Sequence, residues 1–275
     1  MFSADRPREN APSHVDGSHG LDKGGTEMQT LVMYNTTVGV IAGLVLLLVP
    51  RFWAVVTGAQ APLLLIARDT FSRTGWVAAF AALALVLYPL ALISTVTHPL
   101  HSAKTWIDTV FSEPALILAA VLVAATWWLA RHARADEGDP ERIDVDRLRA
   151  ALAPVTWIVF WLGIVLVVCA VAIIRFNAVG GAPEAEPITG RFGHLPVLEN
   201  LFFGIGLYGL SAIGCLVFPR AVRGNHRAWL TLYWCWTLAG LGFAVFSALN
   251  FYTHTGMLIN FASLEADPAS PIFLW

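Results

Sequence analysis

Apolar residues run along this chain in long unbroken stretches separated by short polar breaks. There is neither the alternation of a half-buried strand nor the single stripe of a soluble amphipathic helix. A helix needs about 20 apolar residues to cross a bilayer. Six stretches meet that requirement, at about 29–49, 75–97, 114–131, 155–175, 198–218 and 229–252. The third is short between Glu113 and Arg131, but Trp127 and Trp128 extend it, since indole rings suit the membrane interface. The pattern predicts an all-α polytopic integral membrane protein, a six-helix transmembrane bundle over residues 28–275. A further apolar piece, FWAVVTGAQAPLLLIA, is broken by Gly58 and Pro62 and is too short to cross, so it reads as a surface or re-entrant segment. Residues 1–27 are polar and rich in Gly, Pro and Ser. They lack a signal-peptide core and bury too little to offset ordering entropy, which predicts a disordered tail.

Composition agrees with the pattern. Of 275 residues, 57% are hydrophobic and only 13% charged, where a soluble domain carries about 25% charge. A net charge of −2 without a basic patch excludes nucleic acid as a partner. The expected partners are the lipid bilayer and other membrane subunits. Cys169, Cys215 and Cys235 sit singly in apolar runs, giving no disulfide or zinc framework. Scarce lysine beside abundant alanine and arginine fits a bacterial source and so a bacterial cytoplasmic membrane.

Arginine placement orients the bundle. Arg51, Arg68 and Arg73, the loop RHARADEGDPERIDVDRLR and the loop FPRAVRGNHR all fall on one side when six spans alternate. The positive-inside bias makes that side cytoplasmic and sets both termini, including the 1–27 tail, outside. Small residues at Gly240, Ala244 and Ala248 recur every four positions, a stripe against which another helix can pack closely.

The polar residues in or beside the spans gather toward the opposite, extracytoplasmic ends. Asn35 lies about six residues into the first span, roughly 9 Å at the helical rise, where an unpaired amide is costly. The second stretch closes on ALISTVTH, ending in His98, and the sixth on SALNFYTH, ending in His254. Ser94 and His98 share a helix face, as do Asn250 and His254. Glu113 and Glu199 stand at the starts of the third and fifth spans. The plain reading there is electrostatic, a carboxylate beside a helix N-terminus, with Pro114 in the first turn. Together, Asn35, His98, Glu113, Glu199, Asn250 and His254 are the candidate lining of an outward-facing polar pocket. Histidines at helix ends are commonly solvated or capping groups. Two at similar depth beside a carboxylate are also a donor set for haem iron or copper, which makes His98 and His254, with His101 behind them, candidate metal ligands. No H-E-x-x-H or zinc-finger spacing supports them.

The run TVTHPLHSAKTWIDTVFSEPALILAAVLVAATWWLA resembles a family of uncharacterised multi-span membrane proteins of bacteria and archaea, a domain of unknown function. Phe111, Ser112, Glu113 and Pro114 match its aromatic–small–Glu–Pro signature, with Ser112 where Gly is more usual, and LVMYNTTVGVIAGLVLLL is similar to its first span. The resemblance implies no activity. It draws attention to His98 and Glu113. Three functional readings follow: a non-catalytic binding or accessory subunit, a haem- or copper-binding redox subunit, and a small-solute or proton-coupled transporter. Whether the chain is an enzyme is left open by these residues. Cytoplasmic halves with almost no polar path argue against transport.

Overall fold

A computed structural model describes residues 21–62, 71–100, 104, 106–132 and 143–275, with side chains from Tyr34 onward and without that of His132. Six helices are long and apolar enough to cross a membrane. They are α1 (Leu21–Thr57), α2 (Arg73–Thr97), α3 (Ile107–His132), α4 (Val145–Phe176), α5 (Pro196–Val222) and α6 (His226–Ala266). The disordered tail expected at 1–27 falls largely outside the described residues, as do His101 and Arg68.

Local chemistry sets the helix ends. Ser72 caps α2 by accepting from Gly75 N, Asp144 caps α4 by accepting from Asp146 N and Arg147 N, and Asn225 caps α6 by accepting from Ala228 N. At their other ends, α2 and α4 close on His98 and Asn177 in the left-handed conformation.

Three boundaries differ from the sequence expectation. Helix α1 runs through Pro50 to Thr57, so Phe52–Thr57 is helical and not part of a surface segment. The Arg51 guanidinium donates to the Leu47 carbonyl beside that proline at 2.7 Å. Helix α3 begins at Ile107, which puts Pro114 inside it and Asp108, not Glu113, in its first turn. Helix α6 continues past His254 to Ala266, so the two Thr-His pairs are not equivalent: His98 ends a helix and His254 lies within one.

The helices form a ring in chain order, each packing on the next, and α6 closes it against α1. Small residues make the closing seam. A Cβ on Gly43 would come 2.7 Å from the Gly240 carbonyl oxygen and 3.0 Å from Ala244 Cα, and Gly39 lies against Ser247. Two residues of the expected stripe, Gly240 and Ala244, are therefore where α1 approaches. The joins α1–α6, α2–α3, α4–α5 and α5–α6 are extensive, whereas α3 touches α4 more sparingly. In α5, Phe202–Gly209 winds as a π-helix, an unusually long run of a geometry that mostly occurs as single turns. Outward-facing Trp127, Trp157, Trp161, Val168 and Val171 leave the ring's periphery apolar, as lipid contact requires.

Candidate functional site

Two kinds of site occur in the ring: a polar layer at the end bearing Tyr34, and an apolar chamber between the helices that is partly open to the surroundings.

The polar layer is built from both ends of chain segments that meet there. Tyr34 on α1 donates to Asp108 Oδ1 at the start of α3, and Asp108 Oδ2 accepts from Leu100 N at 2.8 Å. Asp108 is 1% exposed, so these bonds satisfy a carboxylate that water cannot reach. Two residues along α1, the Thr36 hydroxyl meets His254 Nδ1 at 3.1 Å, and His254 Nε2 lies 3.6 Å from Glu186 Oε1. Thr253, next in the chain, donates to the same Glu186 oxygen at 2.9 Å.

Glu186 belongs to the connection between α4 and α5, which folds across this end of the ring. Asn200 Oδ1 accepts from Val179 N and Gly180 N, both at 3.2 Å, while its amide donates to Asn177 Oδ1 and to the Pro196 carbonyl. Glu199 accepts from Gly181 N at 3.0 Å. Lys104 donates to the carbonyls of Val179 (2.9 Å) and Gly180 (3.2 Å), and Trp106 to that of Ala178. Burial pushes the Lys104 ammonium below its ordinary 10.5, partly offset by the nearby Glu199 carboxylate. Further along, Pro187–Thr189 makes a γ-turn of the rare positive-φ kind, with Ile188 at φ 65° and ψ −68° and Thr189 N bonded to the Pro187 carbonyl at 2.7 Å. The C-terminal segment holds this turn in place. Ile188 N donates to the Leu274 carbonyl, Asn260 bridges Ala185 to Phe273, and the Arg191 guanidinium lies over the Trp275 ring.

The expected site residues separate across this layout. His254 is engaged as described, with both ring nitrogens facing protein partners. His98 caps α2 and is half-buried, and Glu199 secures the α4–α5 connection. Glu113 is exposed on the flank of α3, away from the first turn expected for it. Asn250 is half-buried, and its side-chain oxygen has no hydrogen-bond partner among the described residues. Asn35 lines the chamber. Among the described residues no three His, Cys, Asp or Glu side chains group as metal ligands would. The candidate lining expected from the sequence did not include Tyr34, Asp108, Glu186 or Asn260. Asp108 could have been found by starting α3 at Ile107, whereas Glu186 sits in a loop with no periodic signal.

The chamber has two adjoining lobes. The smaller, about 180 Å³, reaches from Asn35 and Phe111 past Tyr208 and Ser211 to Trp236. The larger, about 290 Å³, continues to Trp53, Trp128 and Trp229 near the other end. Leu122, Ala125, Leu152, Val155 and Trp236 wall both, so the lobes adjoin along the bundle. Among the described residues no Asp, Glu, Lys, Arg or His side chain lines either. The larger lobe alone approaches the roughly 300 Å³ of a small-ligand pocket. Gly163 and Gly214 let the walls close around it, because a Cβ at either would strike Cys215 or Trp236 respectively.

Six apolar crossings arranged around such a chamber define a multi-pass α-helical membrane protein. The chain belongs to the family described as Protein of unknown function (DUF981), whose model matches residues 28–257. No curated protein matches it. No solved structure matches it either.

Proposed function

We propose that this chain is a non-catalytic binding protein of the membrane, or the binding subunit of a larger assembly, and that its guest occupies the chamber inside the ring. One observation carries the reading: among the described residues the chamber's lining is uncharged and largely apolar, while the polar groups at the Tyr34 end largely bond one another. Such a compartment suits a molecule that partitions into hydrocarbon, because apolar walls return little to an ion for its lost hydration. The polar layer then acts as a lid that fixes the helix ends, with Asn35 at its boundary with the guest. The arginine-rich loops 131–149 and 218–227 favour a bacterial cytoplasmic membrane with this lid on the outer side.

Organic extraction of the purified protein followed by mass spectrometry tests the reading. An organic-soluble compound should accompany the wild-type chain in near-stoichiometric amount and be lost from Ala125→Phe, which fills a wall shared by both lobes. Equal recovery from the two proteins, or none from either, refutes it. For orientation, a cysteine at exposed His194 should react with an impermeant thiol reagent in intact cells and one at exposed Arg223 should not. The reverse pattern would overturn the outward lid.

A further inference from the structure

Serine and threonine hydroxyls inside apolar helices usually return to a carbonyl of their own helix, which spares them an unsatisfied donor. Ser94, Thr97, Thr126, Thr156 and Thr255 all do so here, at 2.5 to 2.8 Å. Ser211 does not. The residue is 3% exposed and its hydroxyl has no hydrogen-bond partner among the described residues, although its backbone carbonyl accepts from Trp236 Nε1 at 3.2 Å. Ser211 follows directly on the π-helical stretch, at whose end the Leu210 N–H is shared between the Ile205 and Leu207 carbonyls. Thr95, Tyr233, Thr237 and Asn250 also carry buried polar atoms without partners among the described residues, but Ser211 is the one of these five that walls the chamber.

A buried hydroxyl left without an acceptor costs about 1–3 kcal/mol. Among the described residues no wall group accepts from it, and Tyr208, a polar neighbour on α5, has its own hydroxyl turned to the Val110 carbonyl at 2.8 Å. Phe111, Phe218, Trp236 and Phe243 complete an aromatic surround. We infer that the chamber selects a neutral, elongated lipid carrying an acceptor oxygen, a carbonyl or ether, part-way along its body, and that Ser211 donates to that oxygen. The hydroxyl meets it by turning about the Cα–Cβ bond toward the chamber. Neutrality follows from walls without a charged group, since an ionised headgroup brought inside would be left unpaired. Elongation follows from the two lobes, which adjoin along the helices rather than across them. The inference rests on the chamber-binding reading and assigns its ligand class.

Brominated probes separate the two. A bromine that touches an indole quenches its fluorescence, and Trp236 walls both lobes. The purified full chain in detergent is titrated with a dibrominated fatty-acid methyl ester and, separately, with a dibrominated alkane of equal chain length. Wild-type protein should show saturable quenching by both, with the ester binding about threefold to tenfold more tightly, the net effect of one hydrogen bond. Ser211→Ala should bring the ester to the affinity of the alkane and leave the alkane unchanged. Equal affinities in wild type, or an ester preference that survives in Ser211→Ala, overturns the Ser211 assignment while leaving the chamber reading intact. Quenching that never saturates, or that persists unchanged in both Ala125→Phe and Leu118→Phe, overturns chamber and assignment together.

Discussion

Thr253 and Glu186 face each other across the mouth of the ring, the hydroxyl donating to the carboxylate at 2.9 Å where both side chains are almost wholly buried. Glu186 also has His254 within 3.6 Å, and His254 in turn meets Thr36 on α1. One carboxylate therefore ties the α4–α5 connection to the seam between the ring's closing helices. Glu186→Ala should lower stability by about 1–3 kcal/mol, because Thr253 loses its acceptor out of reach of water. Thermal unfolding of the detergent-solubilised protein measures this. Thr253→Val added to Glu186→Ala should cost less than the two single losses summed, since they share one bond. Full additivity would show that the pair is not coupled.

Asn260 makes three hydrogen bonds, to the Ala185 and Phe273 carbonyls and from Phe273 N, and is fully buried. Asn260→Leu removes all three and should release the segment after Asp267. Limited proteolysis should then trim that segment much faster than in wild type, with the bundle left intact. An unchanged cleavage rate contradicts this anchoring role.

Gly43 and Gly75 should respond oppositely to alanine. At Gly43 the new methyl meets α6 backbone, which cannot give way as a side-chain tip can, so Gly43→Ala should destabilise by about 1–3 kcal/mol. At Gly75, in the first turn of α2, the nearest atoms are 3.5 Å away on Ser72. Gly75→Ala should be neutral or stabilising by about 0.4–1 kcal/mol, through the unfolded chain's lost freedom. Paired melting curves for the two variants check both signs.

Lys104 gives a pH dependence of known sign. Its ammonium titrates below 10.5 in the folded protein because it is partly buried, so the unfolded chain holds more protons between the lowered value and 10.5. Its contribution to stability therefore rises as pH climbs through that window. Lys104→Met should flatten this part of the stability profile, as read by unfolding at stepped alkaline pH.

The sequence made the crossings legible because a bilayer imposes length and hydrophobicity directly on each helix. It also marked Gly240 and Ala244, since small residues at four-residue spacing announce close approach. Helix starts were less legible: Pro114 suggested a first turn, yet Asp108 begins its helix earlier and turns inward to Tyr34. His254 stood out on composition, while its partner Glu186 lies in an irregular connection whose contacts depend on tertiary folding alone. Ser211 was invisible for a related reason. A serine in an apolar run ordinarily serves its own helix, and only the folded structure shows that this one does not.

The closing of the ring by α1 against α6 bears on biogenesis. Helix α1 enters the membrane well before α6 is synthesised, with the glycine surface of Gly39 and Gly43 awaiting its mate. Until then that surface can be covered only by lipid, by another nascent helix or by an insertion chaperone. Completion of the ring, and with it any guest compartment, is thus a late event in the life of each newly made molecule.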